Sequence, residues 1–225
     1  MPFSRANAEM AITVAAVYDR RRLLLIRSTV EDRRYSAFTL IELLVVIVIV
    51  AVLAGLSFPV YQSVQNAARK TQAKNDLIQI VTAVNAFYAE YGKYPIASTV
   101  TTDAAATYGQ GGNDSKTLFE ELRGKTTALN PRQIVFISPA EDTNQASPKG
   151  KVGSDGQFHD PWGSAYVIRI DADYDNQITP NPYGPNNGAG PEPIRQGVIA
   201  WSLGKDLTLG NNGKYTGSDD VISWQ

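Results

Sequence analysis

Residues 36–51 read SAFTLIELLVVIVIVA, and this stretch decides how the rest of the chain is interpreted. It is an apolar run that contains a single carboxylate, Glu42. A charged side chain at the centre of a bilayer costs roughly 2.5–3.5 kcal/mol on the milder insertion scales. Either a partner offsets that cost, or Glu42 serves a purpose of its own.

The apolar run is long enough to cross a membrane. No charged residue occurs from Leu43 to Ala68, and Leu43–Leu56 is entirely apolar or glycine. With its flanks Phe38–Leu40 and Ser57–Tyr61, the segment reaches about 20 residues, the length of a transmembrane helix. Residues 1–37 hold seven Arg and four acidic residues. This positive excess predicts that residues 1–37 stay in the cytoplasm and the rest lies outside.

Three other interpretations of the segment remain open on composition alone. A cleaved secretory signal has a shorter apolar core followed by small residues, whereas Phe58-Pro59 follows here. A buried core helix would be unusually rich in β-branched residues for a chain of 225 residues. A plain membrane anchor is the strongest alternative, but it leaves Glu42 unexplained.

The string Ala37-Phe38-Thr39-Leu40-Ile41-Glu42 resembles the processing and methylation site of type IV pilins and type II secretion pseudopilins. The resemblance implies that a prepilin peptidase cuts between Ala37 and Phe38 and that Phe38 is then N-methylated. It also implies that Glu42 pairs with the Phe38 amino group of a neighbouring subunit during assembly, and that Pro59 bends the helix. Two features depart from the family: Ala37 replaces the usual Gly, and the leader of 37 residues is long.

A second apolar pattern follows Pro59, at spacings of three and four: Leu77, Ile80, Val81, Val84, Phe87, Tyr88 and Tyr91. This spacing predicts an amphipathic helix, and Gly92 with Pro95 predicts its end. Joined to the first segment, it predicts one helix from about Thr39 to Tyr91, half in the membrane and half outside.

The remaining chain predicts a small sheet. The strand candidates are Ala165–Asp171, Gly197–Leu203 and the short Val221–Trp224. No helix separates them, so antiparallel pairing is expected. Upstream, Thr117-Leu118-Phe119-Glu120 predicts a capping box that opens a short helix ending at Gly124, and residues 96–114 are interpreted as loop.

These patterns, with the resemblance, predict an α+β, pilin-like fold: a long N-terminal helix, half transmembrane, packed on a small antiparallel sheet with a C-terminal metal-binding loop. The predicted segments are a cytoplasmic leader (1–37), a transmembrane helix (38–61), the periplasmic half of the helix (62–95), a variable region (96–157), and the sheet with the C-terminal loop (158–225).

The C-terminal motifs resemble those of the major pseudopilins of type II secretion. They are Asp160-Pro161-Trp162-Gly163, Ser202-Leu203-Gly204-Lys205-Asp206 and Asp219-Asp220 before an Ile and a Trp. The resemblance implies one calcium ion, bound by the side chains of Asp206, Asp219 and Asp220 and by the Leu203 carbonyl. The spacing from Asp206 to Asp219 is longer than usual, and a plain surface loop is the alternative.

Asp171, Asp173 and Asp175 form a second, weaker calcium candidate. Their alternation resembles the first half of an EF-hand loop, in which Asn176 takes the turn position usually given to Gly. The twelfth position holds Pro182 instead of Glu. A solvated acidic turn is the alternative.

Composition narrows the function. Cysteine is absent, so no disulfide is possible and calcium would take its stabilising place. His159 is the only histidine, which gives little support to a zinc site or a catalytic dyad. Residues 38–225 have no basic block, which argues against nucleic acid as a partner.

We therefore expect a structural protein and not an enzyme: a single-pass protein of the bacterial inner membrane with a periplasmic C-terminal domain. It would form a helical homo-oligomer, a short periplasmic filament that helps drive folded proteins through an outer-membrane pore. The expected partners are other pilin-like subunits, prepilin peptidase, the inner-membrane assembly platform and membrane lipid. A type IV pilin of a surface fibre for adhesion or motility is the alternative, and a membrane-anchored enzyme is the least supported one.

Overall fold

The computed structural model describes residues 39–225, with the backbone only for residues 57–60. The described chain divides into two units between Leu56 and Ser57. The predicted leader and the processing pair Ala37 and Phe38 lie outside the described residues.

The long helix is present as predicted. Helix α1 runs from Leu40 to Tyr91 and has 52 residues. Its end is fixed by Gly92, whose N–H donates to the Tyr88 carbonyl at 2.8 Å and whose φ is +65°. This is the left-handed conformation that glycine adopts most easily after a helix.

In the second unit, α1 buries one face. Its buried positions are Ala73, Leu77, Ile80, Ala83, Val84 and Phe87. They recur every three or four residues, as the predicted amphipathic pattern requires. Tyr88, which the pattern assigned to this face, is 40% exposed.

The sheet is antiparallel and has four strands in the order β1-β2-β3-β4. They are β1 (Thr107–Tyr108), β2 (Val167–Ile170), β3 (Val198–Ser202) and β4 (Val221–Ile222). Strands β2 to β4 lie within the predicted ranges. Strand β1 was not predicted, because residues 96–114 were interpreted as loop.

Both faces of the sheet are buried. Ile168 and Ala200 join the core that α1 covers, whereas Val167 and Trp201 face a second core. The second core also takes residues from the stretch between β2 and β3: Ile178, Tyr183, Ala189 and Ile194. The sheet is therefore a middle layer, with α1 on one side and an irregular Pro- and Gly-rich layer on the other.

A second helix, α2, runs from Lys116 to Leu122. The predicted capping box at Thr117 is wrong, because the helix starts one residue earlier and Thr117 lies inside it. The Asp114 carboxylate accepts the Lys116 N–H at 2.8 Å. Residues 96–157 also supply core side chains: Leu118, Phe119, Leu122, Ile137 and Val152.

Candidate assembly and metal sites

The start of α1 carries a capping box that involves Glu42. The Glu42 carboxylate accepts the Thr39 N–H at 2.8 Å and the Thr39 hydroxyl at 2.7 Å. In return, the Glu42 N–H donates to the Thr39 hydroxyl oxygen at 3.3 Å. Such reciprocal bonds satisfy two backbone donors at a helix start. Glu42 therefore has a local role in the single chain, which sequence reasoning missed.

The first turns of α1 expose apolar side chains along their length. Every residue from Leu40 to Leu56 is exposed, and α1 is long and apolar enough to cross a membrane by length and composition. The backbone stays helical through Pro59. The predicted bend at Pro59 stays a prediction.

The C-terminal carboxylates meet as the resemblance implied. Oxygens of Asp206, Asp219 and Asp220 all lie within 4.8 Å of one another. Calcium–oxygen bonds of about 2.3–2.6 Å place opposite ligands up to about 5 Å apart, so this spacing suits one ion. The role of the Leu203 carbonyl stays a prediction.

Asp220 is a buried carboxylate with an unevenly bonded pair of oxygens. It is 5% exposed, and its Oδ2 accepts the Tyr183 hydroxyl at 2.6 Å and the Gly210 N–H at 2.7 Å. Its Oδ1 is buried and accepts no hydrogen bond from the described residues. Burial, followed by the nearby charges of Asp219 and Asp206, raises the pKa of Asp220. A buried carboxylate oxygen without a donor is costly, and a hard cation would satisfy it.

A tight turn brings the two ends of this loop together. Gly204 has a φ of +67°, and a Cβ there would lie 2.7 Å from Cγ of Asp219. The Lys205 N–H donates to the Asp219 carboxylate. Glycine at this position therefore lets Asp219 approach the backbone.

We expect Gly204→Ala to destabilise the protein by more than the 1–2 kcal/mol or so that a left-handed alanine costs, because its Cβ also displaces Asp219. Thermal unfolding of the full chain in detergent measures the effect. Gly213→Ala is the matched control, since Gly213 has a φ of +77° and no atom of the described residues lies within 4 Å of the position its Cβ would take. Equal losses in the two variants would contradict the close approach at Asp219.

Asp160 and Ser202 stabilise the turn at Gly204 through hydrogen bonds. Asp160 is fully buried, and its Oδ1 accepts the N–H groups of three successive residues, Trp162, Gly163 and Ser164, at 2.8–2.9 Å. Its Oδ2 accepts the Ser202 hydroxyl at 2.6 Å, and the hydroxyl oxygen accepts the Gly204 N–H at 3.1 Å. The buried Asp160 carboxylate thus joins the motif that begins at Asp160 to the motif that begins at Ser202. Burial raises the pKa of this carboxylate.

The second acidic group differs in membership from the predicted one. Asp171 and Asp173 lie together with Asp103, whereas Asp175 is not part of this group. Asp103 was missed, since it lies about 70 residues upstream of its partners and no local motif marks it. Its two oxygens accept the N–H groups of Ala172 at 3.0 Å and Thr179 at 2.8 Å.

The Asp171 loop is satisfied by its own backbone. Asp171 accepts the N–H groups of Tyr174 at 2.7 Å and Asn176 at 2.8 Å. Asn176 has a φ of +61°, so it does adopt the expected turn conformation. Burial raises the pKa of Asp171, and the neighbouring Asp173 and Asp103 add to this rise. Donors already occupy these oxygens, in contrast to Oδ1 of Asp220.

His159 is a packed residue. It is 3% exposed, with Nε2 at 2.9 Å from the Asp155 carboxylate and Nδ1 at 3.2 Å from the Gly163 carbonyl. Its carboxylate partner is Asp155 and not the adjacent Asp160. The contacts tie together the turn that precedes β2.

Residues 32–58 match the family model described as the prokaryotic N-terminal methylation motif. The match covers the predicted processing pair Ala37 and Phe38, and it covers Glu42. No curated protein and no solved structure matched the chain. The motif implies processing by a prepilin peptidase and assembly into pilin-like filaments. At its N-terminal segment the chain is therefore similar to prepilin-type proteins, which supports a type IV pilin-like subunit held by one membrane-spanning helix.

Proposed function

We propose that this protein is a structural subunit of a pilin-like filament and that it acts as the major pseudopilin of a type II secretion system. The observation that carries the proposal is the methylation motif with Glu42 at the start of a long apolar helix. A soluble α+β unit follows on the same helix. A filament of such subunits would help export folded proteins through an outer-membrane pore.

The Glu42 carboxylate, whose charge the membrane disfavours, would take part in assembly as half of an ion pair. Processing before Phe38 creates a new amino group, and Glu42 of a neighbouring subunit is its proposed partner. In a bundle of apolar helices the pair offsets the cost of each buried charge. In the single chain the same carboxylate accepts the Thr39 N–H. On assembly, the carboxylate would either leave Thr39 for the amino group of the neighbour or bind both.

The C-terminal loop favours a pseudopilin over a surface pilin. The chain has no cysteine, and its three C-terminal carboxylates converge around an unsatisfied oxygen of Asp220. Asp206, Asp219 and Asp220, with the Leu203 carbonyl, would hold a calcium ion. The ion would supply positive charge that cancels the repulsion among the three carboxylates. A second ion at Asp171 and Asp173 is the weaker proposal.

The mass of the N-terminal peptide from native membranes tests the class of protein. We expect a peptide that begins at methylated Phe38. A peptide that begins upstream would mean that Ala37 prevents processing, and Glu42 would then lack its partner amine. The chain would in that case be better described as an uncleaved membrane-anchored protein.

Deletion of the gene separates the two filament types. We expect loss of export of folded proteins, with surface fibres and motility unchanged. A deletion strain that exports normally and loses surface fibres would instead establish the type IV pilin alternative.

A further inference from the structure

The exposed side of α1 carries no charge between Asp76 and Glu90 in the second unit. In residues 77–89 the exposed positions are Ile78, Gln79, Thr82, Asn85, Ala86, Tyr88 and Ala89. The exposed face of a helix in a soluble protein normally carries charged side chains. Depletion of charge is instead a mark of the core of a protein–protein interface.

This uncharged face borders a groove. A cavity of about 420 Å³ is lined on the helix side by Ile78, Thr82 and Asn85, and on the sheet side by Gln196 and Val198. Ile78 is 48% exposed although it is a large apolar residue. The groove therefore offers apolar surface and neutral polar groups, and it suits an apolar side chain of a partner.

The loop between β3 and β4, residues 203–220, presents such side chains. Leu207 and Leu209 are 51% and 39% exposed. Leu207 has a φ of +60°, a left-handed conformation that costs a bulky residue on the order of 1–3 kcal/mol. It directly follows Asp206, whose carboxylate accepts the Thr208 N–H at 2.9 Å. Two neighbouring exposed leucines differ from a lone exposed residue such as Val135, which needs no explanation.

We propose that Leu207 and Leu209 of one copy of this chain pack into the groove at Ile78 and Thr82 of a second copy, and that metal at the C-terminal carboxylates holds the two leucines in place. This contact rests on the proposed function, because a filament supplies identical copies side by side. An open helical filament needs two different surfaces on each subunit, whereas a surface that pairs with itself closes a dimer. The leucine pair and the groove are two such surfaces.

The uncharged face of α1 is too small to hold two free subunits together without the filament. The uncharged face is about 20 Å long at 1.5 Å per residue and about 10 Å wide, or roughly 200 Å². A stable complex buries about 800 Å² per partner. Free subunits should therefore stay apart, and the contact should form where anchoring in one membrane raises the effective concentration.

Disulfide cross-linking of the full chain in membranes tests the contact. Because the chain has no native cysteine, only the introduced cysteines can form the cross-link. Two differently tagged copies are co-expressed, one with Thr82→Cys and one with Leu207→Cys. A disulfide requires the two Cα atoms to approach within about 7 Å. An added oxidant takes two electrons from the thiol pair to form the disulfide. We expect a cross-linked heterodimer when the oxidant is added in calcium, and none when calcium is chelated before the oxidant is added. Val135→Cys in place of Leu207→Cys is the control and should give no product.

The outcomes separate this contact from the proposed function, since filaments are scored in the same cells by electron microscopy. Filaments without the Thr82–Leu207 product would overturn the contact and leave the filament proposal standing. A dominant product between two Thr82→Cys copies would also overturn it, because the surface would then pair with itself. A product that also forms when calcium is chelated before oxidation would overturn the role of the metal. Absence of filaments from the wild-type chain would instead count against the proposed function.

Discussion

We expect a chain that carries Glu42→Val to insert into the membrane as the wild type does and to fail to assemble into filaments. Valine removes the charge that opposes insertion, but it would leave the Phe38 amino group of the neighbouring subunit without its proposed partner. Removal of one member of a buried ion pair costs about 3–5 kcal/mol, which lowers the association constant by more than about a hundredfold. Counts of filaments by electron microscopy, with membrane fractionation for insertion, measure both effects.

Glu42→Gln distinguishes the helix cap that the structure shows from the ion pair that we propose. Glutamine keeps an oxygen that can accept the Thr39 N–H, and the capping box accepts Glu or Gln at this position. It cannot form the ion pair. We expect Glu42→Gln to fail in assembly as Glu42→Val does. Normal filaments from Glu42→Gln would refute the ion pair and leave Glu42 as a helix cap.

We expect calcium to raise the melting temperature of the full chain in detergent and the double variant Asp219→Ala with Asp220→Ala to abolish the rise. An ion at about 100 times its Kd stabilises the folded state by about 2.7 kcal/mol. For a protein of this size, that energy corresponds to a Tm increase of about 5–10 °C. The variant lacks two of the three carboxylates that converge in the loop, so it should melt at the same temperature with and without calcium.

Two single variants make this result specific. Asp220→Asn keeps the shape of the side chain and an acceptor for the Gly210 N–H, and it removes the charge that faces the other carboxylates. We expect it to lose most of the calcium response. Asp171→Asn alters the other acidic group and should keep the response in full. If Asp171→Asn loses the response and Asp220→Asn keeps it, the ion binds at the Asp171 group instead.

Sequence patterns predicted the parts of the fold that are locally encoded. The apolar spacing around Leu77 and Val84 predicted α1, and Gly92 predicted its end. Strands β2 and β3 both begin with the β-branched pair Val-Ile, and both lie within the predicted ranges. Strand β1 could not be found this way, because Thr107 and Tyr108 form only two residues of strand in a Gly-rich stretch and pair with β2 far along the chain.

The candidate sites show the same division. The resemblance to pseudopilin C-terminal motifs grouped Asp206, Asp219 and Asp220 in advance. Asp103, in contrast, is brought to Asp171 only by the tertiary structure. The capping box shows how a local pattern can mislead. Thr39 and Thr117 both have Glu three residues later. Only Thr39 lies at a helix start, since α2 already begins at Lys116.

The strand lengths bear on how this protein avoids aggregation. The two outer strands of the sheet, β1 and β4, have only two residues each. Short edge strands offer few free N–H and C=O groups for pairing with another chain, and this is one way that proteins resist uncontrolled strand addition. In the filament that we propose, neighbouring copies would lie close together, and edge strands this short would leave little backbone for strand addition between them.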